Sequence, residues 1–326
     1  MLPDNPLYRG VGTWGTKITP LRARPCADSL QKSLLSLFAP NAYASSSILG
    51  SVSANLNKHL ATLSKRGPYR VLTGDLSYAG LEGKVYTPAE GKALPAVAFG
   101  HDWRTNIKHY HSTLRHLASW GIVVVAPDTE NGLVPNVRGL VADMESALQI
   151  AAGVKLGQGN ITVSPGRLGM VGHGMGGGAA VLAAANNEKV RAVGALYPAM
   201  VSPSATTAAR SVQAPGLIIG SKLDDFLSAG NPAKLAQSWG GTAVYRELDK
   251  GTQPGFAENT MQKLALGTGI FQSGPRETAR ALLVGFLLAT LGNEKKYSDF
   301  AEADATAKGV HSLLGEELAE KANQYH

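Results

Sequence analysis

Apolar positions along this chain follow two rhythms. Short apolar runs at 96–99, 122–126, 168–171, 193–196 and 216–220 are rich in Val, Ile, Leu and Ala, and 243–248 reads as a further strand. Such runs predict strands buried on both faces, as in a parallel sheet. Between them, apolar residues recur at helical spacing over 110–119, 138–152, 175–186 and 277–291. Residues 69–78 and 84–86 predict a β-hairpin that turns near 80–83. Strand–helix alternation of this kind predicts a mostly parallel sheet of eight strands with helices on both faces, the first pair antiparallel.

The ends of the chain read differently. Residues 1–28 carry Pro3, Pro6, Pro20 and Pro25 and predict an irregular arm. Asp28 caps an expected helix with Leu30, Leu34, Leu35, Leu37 and Phe38 that stops at Pro40. A second helix is expected over 46–65, where Ile48, Val52, Leu56, Leu60 and Leu63 form one stripe. The tail from Tyr297 is polar and mostly helical in composition. The expected organisation is a basic N-terminal arm with helices over 1–67, an α/β domain over 68–292 and a C-terminal helical tail over 293–326.

Charge changes this picture only at the N-terminus. Residues 1–70 hold nine basic and two acidic side chains, and the remainder balances 22 against 22. The excess suits an anionic membrane surface or an acidic protein as partner, or a solubilising surface. No nucleic-acid partner is expected. No apolar run is long enough to span a bilayer. The run 33–39 before Ala42-Tyr43-Ala44 is too short and too far from Met1 for a signal peptide. A cytoplasmic place is expected, with peripheral membrane association as the alternative. The single cysteine, Cys26, allows no internal disulfide and no cysteine zinc cluster.

The candidate chemistry centres on Arg167 to Ala180. An apolar strand runs into Gly172-His173-Gly174-Met175-Gly176, and a small-residue helix follows. This is the frame of a nucleophile elbow, G-x-S-x-G, with glycine in the serine's place. The same glycines do not make a dinucleotide fingerprint, because no acidic ribose partner lies about 20 residues on. His101, Asp102 and His173, even with Asp224 or Asp225, fall short of a metal site, and no metal or other cofactor is expected. His109, His111 and His116 read as one surface helix.

Four segments carry a resemblance: Ala96 to His101, Leu117 to Pro127, Pro165 to Gly177 and Ala214 to Asp224. In order and spacing they resemble the α/β-hydrolase superfamily, with the nearest likeness to dienelactone-hydrolase-like and cutinase-type polyester hydrolases. The resemblance implies a nucleophile at Gly174, an acid at Asp224 with Asp225 beside it, and a histidine base after the last strand. Gln253 stands at or near that last position, and none of the eight histidines lies in its loop. Glutamine cannot take and return a proton near neutral pH. Oxyanion-type backbone donors are implied at His101 and Met175. Asp102, Trp103, His173, Ser221 and Asp225 complete the candidate pocket; Ser221 lacks a strained elbow and is a poor nucleophile. The expected function is a catalytically degenerate hydrolase that acts as a ligand-binding or protein-interaction module, with a small acyl or carbonyl-containing ligand. The alternatives are a carboxylic ester or lactone hydrolase with a non-standard site, and a peripheral membrane scaffold.

Overall fold

Alternation within the central strands decides which helices cover which face. A computed structural model of the chain describes residues 54–185, 187–223, 230–258 and 273–324. The expected helix after Asp28, Cys26, Asp224 and Asp225 lie outside the described residues, as do Ile48 and Val52 of the expected stripe. The strands are β1 (Val71–Asp75), β2 (Gly83–Pro88), β3 (Gly91–Gly100), β4 (Val123–Pro127), β5 (Ile161–His173), β6 (Val190–Leu196), β7 (Gly216–Ser221), β8 (Ala243–Leu248) and β9 (Val310–Ser312). They form one sheet in the order β1-β2-β4-β3-β5-β6-β7-β8-β9. Pairing is parallel from β4 through β8, and antiparallel at β1–β2, β2–β4 and β8–β9.

The helices are α1 (Asn57–Leu63), α2 (His111–Ser119), α3 (Val137–Gly153), α4 (Met175–Ala185), α5 (Ala205–Ala209), α6 (Pro232–Gln237), α7 (Gln253–Phe256), α8 (Ser273–Thr290) and α9 (Gly315–Asn323). On one face Val97, Phe99, Val124 and Ala126 meet Leu60 of α1, Leu114 of α2 and Leu283 of α8. On the other, Ala96, Ala98, Val123 and Val125 meet Leu140 of α3, Val181 of α4 and Leu235 of α6. Successive strand residues point to opposite faces, so a continuous apolar run feeds both cores at once. Leu56, Leu60 and Leu63 are buried in the first core, so the described part of the stripe packs on the sheet.

The sheet has nine strands where eight were expected. The ninth comes from the tail, where Val310–Ser312 pairs antiparallel with β8. Three residues are too short to carry a periodic signal, so composition marked the segment only as polar. Arg246 of β8 holds this edge. Its side chain is fully buried, and its guanidinium donates to Ala303 O and Ser312 Oγ at 2.6 Å each, and to Glu302 O. Burial pushes that guanidinium down to about 10. Beside it, Lys321 of α9 pairs with Glu247 at 2.9 Å. Arg246→Ala is expected to lower the unfolding free energy by about 3 kcal/mol, through a cavity and orphaned acceptors. Urea denaturation measures it; a loss below about 1 kcal/mol would show that the tail is held by other contacts.

Among the described residues no helix is long and apolar enough to cross a membrane.

Candidate functional site

Three glycines set the start of α4 hard against the sheet. A Cβ on Gly172 would lie 2.0 Å from Gly176 O, and one on Gly176 would lie 2.1 Å from Gly100 O. Only residues without side chains allow β5 to turn into α4 at this separation. Gly174, at the apex, has φ +55°, the left-handed region that glycine tolerates without strain. Every residue of α4 from Met175 to Ala184 is buried, which explains its apolar, small-residue composition.

The space above Gly174 is taken by Asp102. A Cβ built on Gly174 would stand 2.1 Å from Asp102 Oδ1 and 2.2 Å from its Cγ. The carboxylate therefore sits where a side chain at position 174 would begin. Asp102 Oδ1 accepts from Met175 N–H and from Trp103 N–H, both at 2.8 Å. Its Oδ2 accepts from Gln253 Nε2 at 3.1 Å. Two backbone amides converging on one anionic oxygen are the arrangement that holds an oxyanion. Here the anion is supplied by the chain itself.

The expected oxyanion-type donors were His101 and Met175; the amides that meet Asp102 Oδ1 are those of Met175 and Trp103. β3 runs to Gly100 and the His101 ring turns inward, fully buried, with Nδ1 2.9 Å from Asp102 O and Nε2 2.7 Å from Thr129 O.

Beneath the carboxylate runs a closed circuit. Asp102 N–H donates to Tyr110 Oη at 3.1 Å, and Tyr110 Oη lies 2.8 Å from His173 Nδ1. His173 Nε2 lies 2.9 Å from Gln253 O. A carbonyl only accepts, so Nε2 carries a hydrogen and donates it to Gln253 O. Gln253 Nε2 then returns to the Asp102 carboxylate. His173 is 1 % exposed, between the rings of Tyr110 and Phe256 at centroid distances of 5.6 and 5.0 Å. Burial holds the Tyr110 hydroxyl well above its ordinary range, so it stays protonated. Tyr110 and Phe256 were missed as site residues; a tyrosine opening a helix and a phenylalanine after a Pro-Gly pair give no signal of their own.

Gln253 is positioned from both sides. It opens α7, a helix of four residues capped by Thr252, whose hydroxyl accepts from Gly255 N–H at 3.1 Å. The segment then docks on α2. Glu258 accepts from the Ser112 and Thr113 amides at 3.0 Å each and pairs with Arg280 at 2.6 Å. The carboxylate thereby caps the N-terminus of α2, whose free amides attract an anion.

The remaining candidates lie around this centre. Trp103 is 45 % exposed with the Arg104 guanidinium 5.7 Å from its ring. Ser221 ends β7 and donates to Leu223 O at 3.0 Å. Asp224 and Asp225 follow it, outside the described residues. His311, on β9, lies 2.7 Å from Asp249 Oδ1. Among the described residues no group of three or more His, Cys, Asp or Glu could hold a metal ion.

Comparison with known proteins agrees with the architecture. Cutinase 2 of Thermobifida cellulosilytica is 27% identical over 208 residues, which span 61% of this chain and 76% of that protein. Cutinase cut1 of Thermobifida fusca is also 27% identical over 208 residues, covering 61% of this chain and 63% of its own length. Residues 57–245 match the PET hydrolase-like family. That segment carries the strands β1–β7, the elbow and the Asp102 loop, and the chain belongs to the PET hydrolase-like family, on the α/β-hydrolase fold.

Proposed function

We propose that this chain is a member of the family that does not hydrolyse esters and that acts instead as a ligand-binding or protein-interaction module. One observation carries the reading: the Asp102 carboxylate lies in the seat of the missing nucleophile and holds the Met175 and Trp103 amides. Serine-type acyl transfer needs a nucleophile, a base that cycles a proton, and free amides for the tetrahedral oxyanion. Gly174 offers no nucleophile, and the Gln253 amide cannot cycle a proton. His173 has both ring nitrogens engaged below the elbow. A bound carboxylate both fills the amide site and repels a second negative oxygen there. The ligand of such a module would be a small acyl or carbonyl-containing molecule.

The second reading is a carboxylic ester hydrolase with a non-standard site. The cutinase relatives favour it, and so does Asp102, a carboxylate placed where the family's nucleophile would stand. A short-chain nitrophenyl ester separates the two. The expected result is turnover at the buffer background for both the native protein and Asp102→Ala. Native turnover well above background that collapses in Asp102→Ala would overturn the binding-module reading and make Asp102 the reacting group.

The basic excess of residues 1–70 supports association of that segment with an anionic membrane surface or an acidic protein. Liposome flotation of the full chain with anionic and with neutral vesicles tests it; equal flotation on both would remove the charge argument.

A further inference from the structure

Beside the elbow lies a concavity of its own. Its wall is the segment after β6, which is tied to the elbow by the Ala199 amide donating to Gly174 O at 2.9 Å. The volume is about 440 Å³, within the range of small-molecule sites. Pro198, Val201, Ala205 and Leu235 make the apolar part of the lining. The charged part is Arg210, at the end of α5, and Lys234, in α6. Among the described residues no acidic side chain lines the pocket.

The polar groups divide into those already used and those left for a ligand. Ser204 Oγ accepts the Thr207 amide as the cap of α5, and Asn231 Oδ1 accepts the Lys234 amide as the cap of α6. Asn231 Nδ2 donates to Ala322 O at 2.8 Å. Arg210 and Lys234 are exposed, and neither has an ion-pair partner among the described residues. Unpaired cations usually cover a surface without meaning. Two that share an apolar pocket with no carboxylate among its described lining residues offer a head site and a tail site side by side. Met200, 82 % exposed at the lip, adds apolar surface that water covers poorly.

We infer that this pocket binds a single-chain anionic amphiphile, with a phosphate or carboxylate head against Arg210 and Lys234 and a short alkyl chain along Pro198, Val201 and Leu235. The site is separate from the elbow and does not depend on whether the elbow hydrolyses esters.

Titration of the full chain with octyl phosphate below its micelle concentration tests this, read by calorimetry and by amide chemical shifts. Saturable binding is expected, with shifts gathered in residues 198–207 and 230–235. Removing either charge, in Arg210→Gln or Lys234→Gln, is expected to weaken binding about tenfold, and Lys234→Arg to keep it. Inorganic phosphate, with a head and no tail, is expected to bind at least about tenfold more weakly. Octyl glucoside, with a tail and no charge, is expected to show no shifts there. Octanoate in place of octyl phosphate separates the heads: equal affinity assigns any anionic oxygen head, and a preference for octyl phosphate assigns a phosphate. Absence of saturation, shifts gathered elsewhere, or an affinity unchanged in the Arg210→Gln/Lys234→Gln double variant would each overturn the inference. Both side chains are exposed, so the variants should unfold at the native temperature.

Discussion

Restoring serine at 174 and histidine at 253 is expected to leave ester turnover at background, and adding Asp102→Ala is expected to raise it by a factor on the order of a hundred or more. The two-site change looks sufficient from the sequence, because those positions are where this chain departs from the family's reacting groups. The structure adds a third obstacle. The Cβ of a serine at 174 would fall 2.1 to 2.5 Å from the Asp102 carboxylate atoms, so its hydroxyl and that carboxylate cannot share the space. If the carboxylate moved only slightly, it would still hold the Met175 and Trp103 amides. Losing a single oxyanion donor costs about a hundredfold to a thousandfold in hydrolases. Here both donors are occupied, and the occupant carries the charge that the transition state would develop. Removing the carboxylate frees both amides at once. The histidine at 253 would still need its acid, for which Asp224 is the sequence candidate. The assay is initial-rate hydrolysis of a short-chain nitrophenyl ester by the double and triple variants. Turnover by the double variant equal to that of the triple would show that Asp102 yields its place freely and does not close the site.

The fold was legible because its strands are buried on both faces, so that Ile122 to Ala126 reads as one apolar run whichever core each residue feeds. Gly174 and Gln253 were singled out for another reason. The family frame assigns reacting groups by counting from a strand end, and the letters at those two positions are glycine and glutamine. In the oxyanion loop the same counting stopped at His101, whose ring turns inward, and the amides on the Asp102 carboxylate are those of Met175 and Trp103. The seat of Asp102 was not legible. An aspartate after a strand reads as a solvated loop residue, and nothing local says that it bends back over a turn 72 residues later. Only the pair of facts, a missing Cβ at 174 and a carboxylate in the facing loop, makes sense of each. The Tyr110–His173–Gln253 circuit joins residues separated by 63 and 80 positions, which no periodicity reports. The strand Val310–Ser312 was hidden by its brevity, since its place is fixed by what Arg246 grips and not by its own pattern.

Two glycines of the elbow should both lose stability as alanine but differ in their dependence on residue 102, and the contrast tests the carboxylate seat directly. Gly176→Ala is expected to cost about 4 kcal/mol and to be insensitive to residue 102. Its Cβ would meet Gly100 O at 2.1 Å and His101 O at 2.6 Å. Both are backbone atoms of β3 and its exit, held by parallel pairing to β5, so α4 would have to lift from the sheet. Gly174→Ala is expected to cost about 3 kcal/mol in the native chain, from two sources. An alanine at φ +55° loses roughly 1 to 2 kcal/mol whatever surrounds it. The rest comes from displacing the Asp102 carboxylate from three donors, the amides of Met175 and Trp103 and the side chain of Gln253. In an Asp102→Ala background only the first source remains, so Gly174→Ala should fall to about 1 kcal/mol there. Urea unfolding of the four proteins in that cycle gives the coupling energy, expected near 2 kcal/mol, while the same cycle with Gly176→Ala should give none. A coupling near zero at 174 would mean that the carboxylate does not occupy the seat, and the closed-site reading would fall with it.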